Sequence, residues 1–305
     1  MLRYVVRRLL FGLVALFGVS LITFLATHLS GDVTWLLVPM DASEAEIAAV
    51  RQRYGLDLPL YQQYAIYLQN VLSGDFGTSI KYNTPVLELV WSRVPGTLVL
   101  AGSGFLLALM IGVSLGINAA LHRGTRIDTG LTLFGLIGQA MPGFWVAIML
   151  QLVFAVSLGW LPTGGSGSFR HLVMPAIAVS WFSIAAFLRL TRSAMLEVLD
   201  ADYVKFARVK GNPERVVILR HALRNALIPL VTFAGLNLGA LLGGTVVIES
   251  VFAWPGLGKL MIDAIASRDY PIVQAGVLTT ATLVIMINLC VDLLYGLLDP
   301  RMRNE

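Results

Sequence analysis

From Asp200 to Pro229 the sequence reads D-A-D-Y-V-K-F-A-R-V-K-G-N-P-E-R-V-V-I-L-R-H-A-L-R-N-A-L-I-P, a basic amphipathic stretch between two apolar runs. Tyr203, Phe206 and Ala207 recur at i, i+3 and i+4 and so share a helix face, while Lys205, Arg208 and Lys210 occupy much of the rest. The chemistry on offer is docking. A helix of so few turns is unstable alone in water, and its aromatic face needs a groove to sit in. That face can pack on the chain's own helix ends or take up force from a soluble partner; spacing alone leaves both open. Asp200 or Asp202 is expected to cap the helix and Gly211 to end it in the left-handed conformation. Asn212 is expected to cap a second helix that Pro213 opens.

Side chains for bond-making chemistry are sparse. No G-x-x-x-x-G-K-[ST] occurs, and Gly258-Lys259 is followed by Leu260, so the chain has no recognisable phosphate cradle of its own. Ala101-Gly102-Ser103-Gly104 lacks the first glycine of a G-x-S-G nucleophile motif, and no histidine falls in a later span to act as base. These small residues are read as helix packing. His28, His122, His171 and His221 show no His-x-x-x-His pairing, and the single Cys290 supports neither an intrachain disulfide nor a metal cluster. No cofactor or metal is expected on this chain. Gln139, Gln151, Asn237, Asn288 and Asp292 are the costly polar side chains in or near apolar runs. Gln139 and Asn237 lie deepest and are the candidates for lining a pathway, whereas Asp292, near a span end, is read as interhelical glue.

The elements that must position these residues are membrane helices. Of 305 residues 57% are hydrophobic and 13% charged, with mean hydropathy +0.77; a soluble domain carries about 25% charged residues. Six spans are predicted: Leu9–Thr27, Thr97–Leu121, a run beginning at Thr129, Leu172–Leu188, Ala226–Ile248 and Ile272–Val291. The fourth is expected to lengthen past Arg189, and Met141-Pro142-Gly143 to kink the third. Most of the 22 lysines and arginines fall on the side shared by the two termini, which places both ends in the cytoplasm. The net charge of +4 is thus explained by topology, and nucleic acid is not expected as a partner. The basic N-terminal run exceeds the roughly 7–15 apolar residues of a signal peptide and has no small-x-small site, so it is read as a retained first helix.

The expected organisation is one transmembrane domain over 1–305, with an outer loop at 30–96 and the basic loop at 192–225. The outer loop carries a Ser43-x-x-Glu46 capping box within Asp41–Tyr54, with Gly55 as C-cap. A second amphipathic stretch follows Pro59, with Leu60, Tyr64, Tyr67, Leu68 and Val71 on one face, suited to packing on the chain's own helices or to a partner. Gly112-x-x-x-Gly116 and Gly235-x-x-x-Gly239-x-x-x-Gly243 let helix backbones approach closely, within the chain or with another subunit.

The chain resembles ABC-importer permeases of the dipeptide, oligopeptide and nickel uptake family. Ala207-Arg208-Val209-Lys210-Gly211 and His221 to Pro229 are similar to that subfamily's A-R-x-K-G and H-A-L-R-N-A-x-x-P, although of the wider E-A-A-x-x-x-G pattern only Ala207 and Gly211 match. Met1-Leu2-Arg3-Tyr4, Tyr54-Gly-Leu-Asp57-x-Pro59, Gly74-Asp75-Phe76-Gly77, Met141-Pro-x-Phe-Trp145, Gly159-Trp-Leu-Pro162, Phe252-x-Trp-Pro-Gly-Leu-Gly258, Arg268-Asp-Tyr-Pro271 and Asp299-Pro-Arg301 resemble its first subunit. The resemblance implies an all-α, six-helix type I importer domain in the bacterial inner membrane, with a periplasmic first loop and no enzymatic activity of its own. It implies a second permease, two cytoplasmic ATPase subunits holding ATP and Mg, and an external substrate-binding protein, all in contact with membrane lipid. It implies import of short peptides or related solutes such as glutathione, an opine or a nickel chelate. Asp202, Tyr203, Lys205, Phe206, Ala207, Lys210 and Gly211 would then couple to the ATPases. Rival readings are a secondary transporter driven by an ion gradient, for which no carboxylate stands near a span centre, and a membrane scaffold, which leaves the polar outer segments unexplained.

Overall fold

The computed structural model describes residues 2–29, 43–53, 55 and 57–298; Asp41, Tyr54 and the Asp299-Pro-Arg301 end fall outside them. Among the described residues the helices are α1 Leu2–Leu29, α2 Glu44–Arg53, α3 Leu60–Leu72, α4 Val86–Leu121, α5 Arg126–Ala140, α6 Gly143–Ser157, α7 Phe169–Leu199, α8 Asp202–Val209, α9 Glu214–Val251, α10 Leu257–Ala266 and α11 Tyr270–Leu298. The stretches Gln151–Ser157 in α6 and Val217–Ala222 in α9 are π-helical. Five helices, α1, α4, α7, α9 and α11, are long and apolar enough to cross a membrane, and α5 with α6 adds a sixth crossing if the pair counts as one.

The third predicted span is broken and not merely kinked. Met141 is extended (φ −86°, ψ 125°), and the two halves meet at 103°. Pro142 has no N–H to continue the ladder, and its ring drives the preceding residue out of the helical region. The fourth span does lengthen: α7 runs for 31 residues to Leu199.

Two compact units divide the chain, Met1–Pro95 with Gly256–Met286 and Gly96–Pro255 with Ile287–Glu305. In the first, the capping box forms: Ser43 N and Oγ each donate to Glu46 Oε2 at 2.8 Å, and Glu46 N donates to Ser43 Oγ at 3.4 Å. Those two donors hold the Glu46 carboxyl below its ordinary value. The aromatic face of α3 packs on α1, where Tyr64 and Tyr67 lie 5.2 and 5.6 Å from the Phe24 ring. The Ser20 and Tyr64 hydroxyls share a 2.8 Å hydrogen bond, and Gln63 Oε1 meets His28 Nε2 at 2.9 Å. Leu60, expected on that face, is exposed.

The second unit is organised around α7. Two-thirds of its most apolar stretch is buried, against α5, α6 and α9. A Cβ on Gly112 would lie 2.6 Å from Phe187 Cβ, and one on Gly116 2.5 Å from Thr191 Cβ and 2.6 Å from Leu188 O. The α4 glycine pair therefore serves packing within the chain. On α9 the stripe divides. Gly239 is packed against Asn288, while an added Cβ at Gly243 would meet nothing within 4 Å. Gln151 is satisfied at the π-helical stretch of α6, where its amide donates to Thr163 O (2.7 Å) and Val251 O (3.1 Å).

Candidate functional site

The helix α8 has two unlike faces. Val204 and Ala207 are buried among Ala120, Met195, Val217, Ala222 and Leu230, at the junction of α4, α7 and α9. Tyr203 and Phe206 stay 44% and 59% exposed, and Val209 at the end of the helix is 83% exposed. The sequence reading grouped Ala207 with the aromatics; the packing turns it inward with Val204, three residues away on the same stripe. The two aromatics also differ from each other. Tyr203 accepts a hydrogen bond from Asn225 Nδ2 of α9 at 2.8 Å, so its hydroxyl is tethered to the chain. Phe206 carries the Lys210 ammonium 4.7 Å over its ring, an exposed cation–π contact worth about 0.5–1 kcal/mol.

Local chemistry fixes both ends of α8, partly by other residues than expected. Neither aspartate caps it. Asp200 is the C-cap residue of α7, with right-handed helical angles, and pairs with Arg123 at 3.3 Å, while Ala201 is the extended N-cap residue. Asp202 falls inside the first turn, where its charge meets the positive end of the helix dipole, and pairs with Lys205 at 3.3 Å. Gly211 has φ +78°, the left-handed conformation expected of it. Asn212 turns back instead of capping forward. Its Nδ2 donates to Ala207 O at 2.9 Å, satisfying a carbonyl that the end of α8 leaves free, and Pro213 takes the cap position of α9.

Across this corner Arg208 reaches Glu214 Oε1 at 2.8 Å, and that carboxylate raises the guanidinium above its ordinary value. The corner is therefore closed by one backbone conformation, one amide and one ion pair. Directly beyond it, α9 passes through its π-helical stretch, a widened turn with i→i+5 bonding.

The two candidate pathway residues are not brought together. Gln139 is half-buried in the last turn of α5. Asn237 is 9% exposed and lines a mostly apolar groove of about 350 Å³ with Gly143, Phe144, Phe182, Ser183 and Gly244, which Gln139 does not border. Its Nδ2 donates to Ser183 Oγ at 3.0 Å, and its Oδ1 has no hydrogen-bond partner among the described residues. Three carboxylates are buried among the described residues without having been singled out for burial by the sequence, where Asp269 stood only within the Arg268-Asp-Tyr-Pro271 motif. Asp128 pairs with Arg192, Glu249 accepts from Thr97 Oγ1 at 2.7 Å, and Asp269 accepts from Ser79 Oγ and from Lys81 N. Asp128 and Glu249 stand at or just beyond a predicted span edge, where a charge reads as solvated; only their residue types, within one turn of an apolar run, could have flagged them.

Comparison with known proteins agrees with this architecture. Residues 112–304 match the family described as binding-protein-dependent transport system inner membrane component, and residues 1–101 match its N-terminal part. The chain is 39% identical to the dipeptide transport system permease protein DppB of Alkalihalophilus pseudofirmus, over 99% of this chain and 100% of that one. It is 41% identical to the oligopeptide transport system permease protein AppB of Bacillus subtilis (99% of each). It is 43% identical to the glutathione transport system permease protein GsiC of Salmonella typhimurium (100% of each). Among solved structures, the MetNI methionine ABC transporter in an inward-facing form matches with TM-score 0.58 at 19% identity, over 70% of this chain and 97% of that one, a likeness of fold. Nothing in these matches supports a secondary transporter. The chain belongs to the family of binding-protein-dependent transport system inner membrane components, as a permease subunit with a type I ABC-importer fold and not an enzyme.

Proposed function

We propose that this permease subunit imports short peptides or a related small solute such as glutathione, an opine or a nickel chelate. Its partners would be a second, similar permease, two ATPase subunits that hold ATP and Mg, and an external binding protein. Relatives named for dipeptides, oligopeptides and glutathione, each about 40% identical over nearly the whole chain, support that solute class. In this reading the termini and the 192–225 loop are cytoplasmic and the 30–96 loop is periplasmic. Helix α8 is the coupling element: closure of the ATPases displaces it, and the Gly211 corner passes the motion to α9. Phe206 and Tyr203 contact the ATPase, Asp202, Lys205 and Lys210 shape its charged rim, and Ala207 with Gly211 fixes the lever to the spans. Asn237, and Gln139 on α5, face the solute.

The observation that carries this reading is Phe206, an aromatic left mostly exposed on a short helix whose opposite face is already buried. The test is reconstitution of the purified assembly in liposomes. Uptake of labelled di- and tripeptides, dependent on ATP and on the binding protein, is expected; retention of uptake without any ATPase subunit would overturn it. Sidedness is read separately, with cysteines replacing Lys81 and Arg208 in a Cys290→Ala background. An impermeant thiol reagent should label the first and spare the second in intact cells, and equal labelling would refute the orientation.

A further inference from the structure

Asp128, in the first turn of α5, is held by a set of hydrogen bonds from three other residues. Arg192 of α7 donates from Nε to Oδ1 at 2.6 Å and from Nη2 to Oδ2 at 2.8 Å. Gly124 N adds a bond to Oδ2 at 3.0 Å and Thr132 Oγ1 one to Oδ1 at 3.4 Å, and the aspartate side chain is 8% exposed. A planar fork of this kind fixes orientation as well as distance. Cohesion of the two helices does not rest on it alone, since Gly138 of α5 already seats Ala185 of α7. A buried ion pair is in any case a weak net stabiliser. To these apolar contacts the fork adds a directional constraint on the rotation of α7 about its own axis and on its register against α5.

The position of the pair makes that matter. Ala194 and Met195, the next turn of α7, lie in the same cluster as Val204 and Ala207 of α8, and only Asp200 and Ala201 separate the two helices. We propose that Asp128 and Arg192 are positioning residues that make α5 and α7 move with α8 as one body, so that displacement of α8 reaches the spans without being lost as rotation of α7. This rests on the reading of α8 as the coupling helix.

Single substitutions strand a buried charge and can fail to fold, so the decisive variant is the double replacement Asp128→Leu with Arg192→Met, which keeps the contact apolar and removes the fork. In a Cys290→Ala background, spin labels at Leu133 of α5 and Val209 of α8 report one distance in the assembled transporter. The parent should give the same narrow distribution with and without ATP, and the double variant a broadened one. Stimulation of ATP hydrolysis by the binding protein should fall by about fivefold or more in the variant, the low end of typical coupling between sites, while thermal stability stays close to the parent's. An equally narrow distance with normal stimulation would overturn the proposal, as would a loss of thermal stability with the distance unchanged, which marks a merely structural pair. Phe206→Ala separates the two readings. If it leaves ATPase attachment untouched, the coupling role of α8 fails, while the label distances still decide whether the fork locks α5, α7 and α8 together.

Discussion

Helices α7 and α8 are joined by two residues yet differ widely in burial. In α7 fifteen side chains are buried, including Phe187, Leu188 and Met195 at 0–1% exposure, and its neighbours approach to backbone distance at Gly112 and Gly116. In α8 only Val204 and Ala207 are buried, and Phe206 faces outward. Most of the apolar packing of α7 is completed within the chain, so damage there should register as lost folding. Those of α8 are half complete, so damage on its outer face should register only when a partner is present.

The largest effect is expected where α7 has no room. Gly116→Leu drives a side chain into Thr191 Cβ and the Leu188 carbonyl, and backbone cannot yield as a flexible side-chain tip would. Overpacking of this kind costs about 1–3 kcal/mol, occasionally more. Thermal unfolding of the detergent-extracted chain, without partners, should show a clearly lowered Tm; an unchanged Tm would remove the contrast between the two helices.

Phe206→Ala should do the reverse, leaving the Tm of the isolated chain alone and weakening ATPase attachment by about tenfold, since burying an aromatic is worth roughly 1.5–3 kcal/mol. Copurification of the ATPase at graded concentrations measures this, and full retention would place the outer face of α8 outside the interface.

Gly211→Val tests the corner instead of the contact. A β-branched residue at φ +78° is strained by about 1–3 kcal/mol, so the assembly should form while uptake and binding-protein-stimulated hydrolysis fall together. Normal uptake at matched expression would mean that the corner transmits nothing.

Tyr203→Phe should be smallest. It removes the exposed 2.8 Å bond from Asn225 and keeps the ring, a change of about 0.5–1.5 kcal/mol. Attachment should shift by less than in Phe206→Ala. A larger loss than Phe206→Ala would make Tyr203 the anchor and the tether its support.

Much of this was legible along the chain because it depends on local chemistry. Apolar run length is enough to predict the crossings, since lipid leaves backbone groups no partner outside a helix. The Ser43–Glu46 box and the left-handed Gly211 follow from one turn of sequence, whereas spacing alone left open which way Phe206 faces. The break at Pro142 was legible as a position but not as an angle, because a proline removes one hydrogen bond whereas neighbouring helices decide how far the freed ends diverge.

What the tertiary structure alone decided is pairing. The Gly112 and Gly239 stripes read alike, yet one is filled by α7 and the other runs out onto an open surface at Gly243, because glycine spacing states that something can approach without saying what. Ala207 lies at the edge between two faces, and only the cluster from α4, α7 and α9 turned it inward. Asp128 and Arg192, sixty-four residues apart, are each unremarkable charges at a span edge in the sequence. Burial of Asp128 removes water as its alternative partner, and the guanidinium of the half-buried Arg192 completes the fork.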